Sequence, residues 1–369
     1  MATPIVFMTQ ERITRRDVIH ILGYAAVPLL VAAKTREFPK GAIIRTILKD
    51  LPPDALRGGA TLFHEHMSLA PDFMPRWMKA AGMQMPQAGR GQNPPANPEQ
   101  FFMQDLDLMA DEMKTAAHDG VTCIVDGGHE DMGRDLDFLR QLSAKSGMPI
   151  VASCGYYAQP FYPPKIATMT EEEILDDLLH TARTQPVGAL GEIGTWDVMT
   201  ADERKVFRAV GKAHLATNLP IFTHTAYGKG AIEQLDVLES VGVKPQRIAI
   251  GHVGGLTDPK VEVVKEICKR GAFVGYDRQG GAGDARNVTQ VQALIEAGYA
   301  GNLMFASDLS LAAQLVHNHG AGYAKTLTVF VPKLRAAGVK DETLHQILVD
   351  NPRRFLAFVP KKARKRSSF

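Results

Sequence analysis

Six residues of metal-binding type stand at or beside the ends of short apolar runs. They are His64 and His66 in Leu62-Phe63-His64-Glu65-His66, Glu192 in Gly191-Glu192-Ile193-Gly194, His224 in Phe222-Thr223-His224-Thr225, His252 in Gly251-His252-Val253-Gly254, and Asp308 in Ala306-Ser307-Asp308. Imidazole nitrogens and carboxylate oxygens suit zinc best and permit manganese, cobalt or iron. In His64-Glu65-His66 the spacing of two, on a strand, points both imidazoles to one side and Glu65 to the other, so one cation can take both histidines. Alone, such a pair could equally pad the end of a sheet; the other four residues argue against that. An apolar setting makes an unpaired carboxylate costly, so Glu192 needs a partner: an arginine in a buried ion pair, or two cations bridged by its two oxygens. On the second reading His224 and His252 serve one ion, and Asp308 completes the site of the other. Positions left open for water distinguish a catalytic site from a closed structural one. Two divalent ions about 3.5–4 Å apart can hold a bridging hydroxide and polarise a substrate oxygen together. Asp308 then has a second task, as the catalytic group that takes the proton of the attacking hydroxide.

These residues must be brought together by the elements that carry them. Short apolar runs alternate with longer helical patterns, which predicts a parallel sheet with crossover helices, and eight units follow one another. The strands are expected at 61–66, 122–127, 150–155, 189–194, 220–224, 248–252, 272–277 and 303–308, with continuous apolar character, as for strands covered on both faces. Helices are expected at 104–118, 136–146, 170–184, 201–217, 231–241, 259–270 and 289–297. The fold class is therefore α/β, a (β/α)8 TIM barrel, and all six residues fall at strand C-termini, on the rim where barrel active sites lie. A small hairpin from Ile43-Ile44-Arg45-Thr46-Ile47-Leu48 precedes the first barrel strand.

Other rim residues are weaker candidates. Tyr156 and Tyr157 follow the third strand and Arg278 the seventh, placing them to bind substrate and orient a carbonyl or phosphoryl oxygen, or simply to hydrogen-bond along the rim. Asp126 and His129 after strand two, and His317 and His319 after strand eight, read as supporting groups or as plain loop polarity. The stretch 70–99, rich in Met, Pro, Gly and Gln, exceeds ordinary loop lengths and lies on the active-site side, either as a functional lid or as a flexible excursion.

The formal net charge is only +2, and its visible excess lies in the basic tail 359–369. Without basic and aromatic residues interleaved on a groove-facing element, nucleic acid is excluded as a partner. Thr14-Arg15-Arg16-Asp17-Val18-Ile19 ahead of an apolar run to Ala33 resembles a twin-arginine signal peptide, residues 1–33, with the domain proper at 34–358. The run is shorter than a membrane span needs, so no lasting membrane insertion follows signal removal, and the expected location is the periplasm or the medium. Cys123, Cys154 and Cys268 have neither metal-like nor disulfide-framework spacing and are expected in the core.

The set His64-x-His66, Glu192, His224, His252 and Asp308 resembles the phosphotriesterase-like branch of the amidohydrolase superfamily. Gly120-Val121-Thr122, Gly133-Arg134-Asp135 and Asn351-Pro352-Arg353-Arg354-Phe355 also look like that family. The resemblance implies a binuclear centre: one ion on His64, His66 and Asp308, the other on His224 and His252, and a bridge that is a carboxylated lysine or a glutamate. Glu192 at the bridge is similar to the glutamate-bridged members, a departure from the lysine-bridged organophosphate hydrolases and lactonases. Tyr157 and Arg278 match the tyrosine and arginine of lactonase-type members. The implied activity is hydrolysis of a small-molecule carboxyl ester, lactone or phosphate ester using two divalent ions. A mononuclear amidohydrolase acting on an amide or amino group, and a barrel that binds without catalysis, are the competing readings. A homodimer is the expected assembly.

Overall fold

In the computed structural model, residues 38–83 and 101–361 are described. The proposed signal at 1–33, the second half of the 70–99 stretch and the basic tail from 362 on lie outside them.

The chain enters through a two-stranded antiparallel ribbon, β1 (Ile44–Arg45) and β2 (Asp50–Leu51), the small hairpin expected from sequence. Eight parallel strands follow: β3 (Ala60–Glu65), β4 (Val121–Asp126), β5 (Ile150–Cys154), β6 (Val187–Thr195), β7 (Ile221–Thr225), β8 (Ile248–Ile250), β9 (Phe273–Tyr276) and β10 (Leu303–Phe305). They pair in sequence order from β3 to β10. Beyond the ladder, the Asp308 amide donates to the His64 carbonyl at 3.4 Å, so the last strand's continuation meets the first and the barrel is nearly closed. The β5–β8 strands are buried along their whole length, which explains their unbroken apolar runs.

The barrel interior is filled by a few large side chains that require glycine opposite them. A Cβ on Gly275 would lie 2.3 Å from the Phe63 ring, and one on Gly191 2.4 Å from the Phe222 ring. Both aromatic rings are fully buried, so β9 and β6 make room where β3 and β7 contribute bulk.

Helices α1 (Phe73–Ala80), α2 (Leu106–His118), α3 (Leu136–Ser146), α4 (Glu171–Thr184), α5 (Ala201–Thr217), α6 (Ala231–Ser240), α7 (Glu262–Arg270) and α8 (Asp284–Glu296) separate the strands. Their starts are written locally. Thr170 with Glu173 and Thr200 with Glu203 form reciprocal capping boxes, while Asp105 and Asp135 accept the first free amides of α2 and α3. Gly147, left-handed at φ 76°, stops α3 where sequence placed its end. The 70–99 stretch is not the aperiodic loop expected throughout, since Phe73 and Met78 bury one face of α1. The three cysteines are buried and unpaired, as expected of small core residues. No helix among the described residues is long and apolar enough to cross a membrane.

Candidate metal centre

Glu192, on β6, is the hub. Its carboxylate lies 3.3 Å from His64 Nε2, 3.5 Å from His66 Nε2, 2.5 Å from His224 Nδ1 and 3.0 Å from His252 Nε2. No arginine reaches it among the described residues, so the ion-pair reading of this carboxylate gives way to the histidine cluster. Asp308 closes the group, with Oδ1 3.4 Å from His66 Nε2. All six residues sought from sequence therefore converge, and His64 with His66 and Asp308, and Glu192 with His224 and His252, form two groups that could each hold an ion.

Two of the six come from strained backbone. His252 lies two residues past β8 and Asp308 three past β10, rather than on the strands, and both are left-handed, at φ 59° and 48°. Side chains other than glycine avoid that region unless their surroundings hold them there. Asp277 holds His252, its carboxylate accepting the His252 amide at 3.1 and 3.2 Å. Glu65 holds Asp308 by accepting the amides on both sides of it, Ser307 at Oε1 and Leu309 at Oε2. The middle residue of His64-Glu65-His66 thus points away from the centre, as the strand alternation requires, and fixes Asp308 through the backbone on either side of it.

Asp277 is a residue of the centre that sequence reasoning missed. Its two oxygens take His252 Nδ1 at 2.8 Å and His64 Nδ1 at 3.1 Å, which commits both Nδ1 positions to N–H and leaves both Nε2 lone pairs facing Glu192. Its place at the end of the expected seventh strand was the available signal. Asp277 also sits within reach of His64 and His252 as a third ligand set, but oxygens already engaged by three N–H groups favour the orienting role.

The donor chemistry fits cations. His64 Nε2 is buried with no hydrogen-bond partner, and His252 Nε2 faces His224 Nδ1 at 2.9 Å, two imidazole nitrogens between which at most one proton fits. Burial opposes charge on Glu192 and Asp308, yet His64 and His224 around the first, and Arg278 beside the second, hold both carboxyls well below the usual range. Burial also drives His224 down to about 4, leaving it neutral, the form in which imidazole binds metal. Glu65 is pushed up to about 8 by burial, against its two amide bonds.

The remaining rim residues divide. Asp126 accepts the Met67 amide at 2.8 Å, and His129 meets the Glu192 carbonyl at 3.0 Å and Asp131 with its other nitrogen, so both support the centre. His317 lends its backbone amide to Glu112, outside the centre. Tyr156 is corrected: its hydroxyl donates to Asp177 on α4, which turns it away from the cavity above the centre, whose lining it does not join. Tyr157 is placed as sequence proposed. Asp131 accepts its amide at 2.8 Å, and its hydroxyl stands 3.1 Å from His224 Nδ1. Arg278 donates to Asp308 Oδ2 at 2.8 Å.

A cavity of ≈ 370 Å³ opens above these groups. Its wall comes partly from α1: Trp77 donates to the Tyr157 hydroxyl at 2.8 Å and lies under the Arg278 guanidinium, 5.8 Å away, with Tyr227 5.6 Å off the same group. The described half of the long stretch after β3 therefore shapes the pocket.

Relatives agree with this architecture. The chain is 27% identical to the N-acetyltaurine hydrolase of Salmo salar across 85% of this chain and 98% of that one. It is 28% identical to the aryldialkylphosphatase of Saccharolobus solfataricus, over 81% and 95% respectively. With the phosphotriesterase homology protein of Escherichia coli it shares 30% identity over 67% of this chain and 88% of the other. A crystal structure of that protein with phosphate in its active site matches with a TM-score of 0.71, covering 81% of this chain and 99% of its own. The model of the phosphotriesterase family matches residues 47–356, and the chain belongs to that family of hydrolases, whose members use a binuclear metal centre.

Proposed function

We propose that this chain is a binuclear metal-dependent hydrolase of a small-molecule carboxyl ester, lactone or phosphate ester, with His64, His66 and Asp308 holding one divalent ion, His224 and His252 the other, and Glu192 bridging. The observation that carries it is the meeting of four imidazoles on one buried carboxylate beneath an open cavity. Zinc is the metal this nitrogen and carboxylate set favours. Two divalent ions held there would supply Lewis-acid activation of water and of the scissile oxygen.

The chain's own residues do the rest. Asp308, ionised and with one oxygen toward His66, accepts the proton released as water attacks. Arg278 grips the other oxygen of Asp308, fixing its rotamer and placing cationic charge at the cavity wall. The Tyr157 hydroxyl already accepts from Trp77, so its own proton is free to point at a substrate oxygen or at His224. Asp277 and Glu65 hold the two strained ligands in place through their backbone amides.

A second reading, cleavage of an amide, is favoured by the likeness to an N-acetyltaurine hydrolase along nearly all of that relative's length. The test is turnover of a panel of lactones, aryl esters, a phosphotriester and N-acyl amines by zinc- or manganese-loaded protein. Ester or lactone turnover sustains the first reading, amide turnover alone replaces it with the second, and no turnover defeats both. Twin-arginine export through residues 1–33 is part of the same proposal, motivated by Arg15-Arg16 before the apolar run. Replacing both arginines by lysine must abolish secretion, and unchanged secretion refutes it.

A further inference from the structure

Among the described residues two cations, Arg278 and Lys325, line the cavity, and only one of them has a carboxylate partner. Arg278 is engaged by Asp308. Lys325, immediately before the helical turn Thr326–Phe330, is only 7% exposed, yet no carboxylate oxygen lies within ion-pair distance of its Nζ among the described residues. The acids it senses at longer range are already occupied. Glu65 accepts two backbone amides, Asp308 accepts Arg278, and Asp284 accepts Lys333 at 2.6 Å and the Gly280 amide at 3.0 Å. The Lys325 stem is pinned beside Gly280, with Cδ 3.4 Å from where a Cβ on that glycine would be, and the side chain reaches the cavity that holds His66 and Asp308.

A desolvated ammonium without a counter-ion is expensive, and burial accordingly pulls the Lys325 pKa down. The expense is removed when an anion enters the cavity. A lysine serves as a compact point charge with three donors, and it does not impose the planar fork that arginine would.

We propose that Lys325 receives an anionic group, a carboxylate or sulfonate, carried by the substrate away from its scissile bond, so that the substrates are acidic ones such as half-esters or acyl derivatives of amino acids. This rests on the cavity being the active site of the proposed hydrolase. Arg278 stays with Asp308 while Lys325 supplies the free positive charge that selects among substrates. A charge-assisted hydrogen bond in such a place corresponds to roughly tenfold to a hundredfold in affinity.

The experiment is calorimetric binding to the zinc-loaded full chain, which needs no turnover. The probes are succinate, glutarate and adipate, each compared with the non-hydrolysable monocarboxylate of the same carbon number (butyrate, valerate and hexanoate), and 3-sulfopropionate to separate a tetrahedral from a planar head group. Both members of each carboxylate pair keep one carboxylate for the metal centre, so their affinity ratio reads the second anion alone. For at least one chain length the dianion is expected to bind at least tenfold more tightly than its monocarboxylate. Lys325→Met, which keeps the stem, brings the ratio close to one, and Lys325→Arg retains most of it. Equal binding of dianion and monocarboxylate at every length, or an unchanged ratio in Lys325→Met with an unaltered melting temperature, overturns the anion site. If the ratio behaves as expected while the hydrolysis panel fails, the anion site stands and the hydrolase reading falls.

Discussion

Replacing Asp277 by asparagine should loosen both metal positions without disturbing the barrel. In the native site one carboxylate serves two histidines that belong to different ions, through Oδ1 to His252 Nδ1 at 2.8 Å and Oδ2 to His64 Nδ1 at 3.1 Å. Asparagine keeps one acceptor and puts an NH2 where the other was, so one imidazole N–H must face a donor. That ring then turns or changes tautomer, and its Nε2 no longer offers a lone pair toward Glu192. Removing an orienting group of this kind typically weakens metal binding about 10–100-fold, which is about 1.4–2.7 kcal/mol. The His252 side makes the shorter bond and also holds the backbone amide of a left-handed residue, so the asparagine oxygen should stay there and the His64 site should weaken more. The assay is competitive titration of metal-free protein with zinc against a chromogenic chelator, alongside a thermal melt. Asp277→Asn that binds both ions with native affinity and melts normally would show that the carboxylate does not orient the ligands.

Three further expectations follow from other parts of the molecule. Trp77→Ala removes the donor to the Tyr157 hydroxyl and the ring under Arg278, and kcat/KM on the best panel substrate should fall roughly tenfold, mainly through KM. An unchanged KM would remove α1 from the pocket wall. His214, on α5 away from the centre, is held by burial at about 4 instead of its ordinary 6.5. The unfolded chain therefore binds a proton in that window that the folded chain refuses, and the stability present above pH 6.5 is lost as pH falls toward 4. At pH 5 this loss is about 2 kcal/mol, so the fall in urea stability from pH 7 to pH 5 should be shallower by that amount in His214→Gln. Parallel pH profiles would contradict it. Phe207→Ala, in the fully buried face of α5, should cost about 3–5 kcal/mol in the same urea measurement with the metal content unchanged, and a loss under about 1 kcal/mol would mean that this face is not tightly packed.

The barrel was legible because its strands are continuous apolar runs and its helices carry their own start and stop residues. Thr170 and Thr200 with their glutamates three residues later, and Gly147 after Ser146, are local signals that need no tertiary knowledge. The six-residue constellation was legible because a parallel barrel gathers strand ends whatever their sequence separation. What could not be read was the direction in which neighbouring side chains leave the backbone. Tyr156 and Tyr157 are adjacent and look alike, yet one faces Asp177 and the other His224. Asp277 and Lys325 escaped notice for a related reason. Their roles are relations to residues far along the chain, His64 for the first and the cavity around Asp308 for the second, and neither belongs to a short motif. Helix α1 was hidden by the composition around it, since only its Phe73 and Met78 mark a buried face.

Elemental analysis of the purified protein, coupled to the hydrolysis panel, decides whether Glu192 and its four histidines, with Asp308, form a two-ion hydrolytic centre. The expected outcome is close to two zinc-class ions per chain, loss of turnover on chelation, and its return when zinc or manganese is restored. One firmly bound ion with full activity, or no bound ion and no turnover after either metal is supplied, would contradict it.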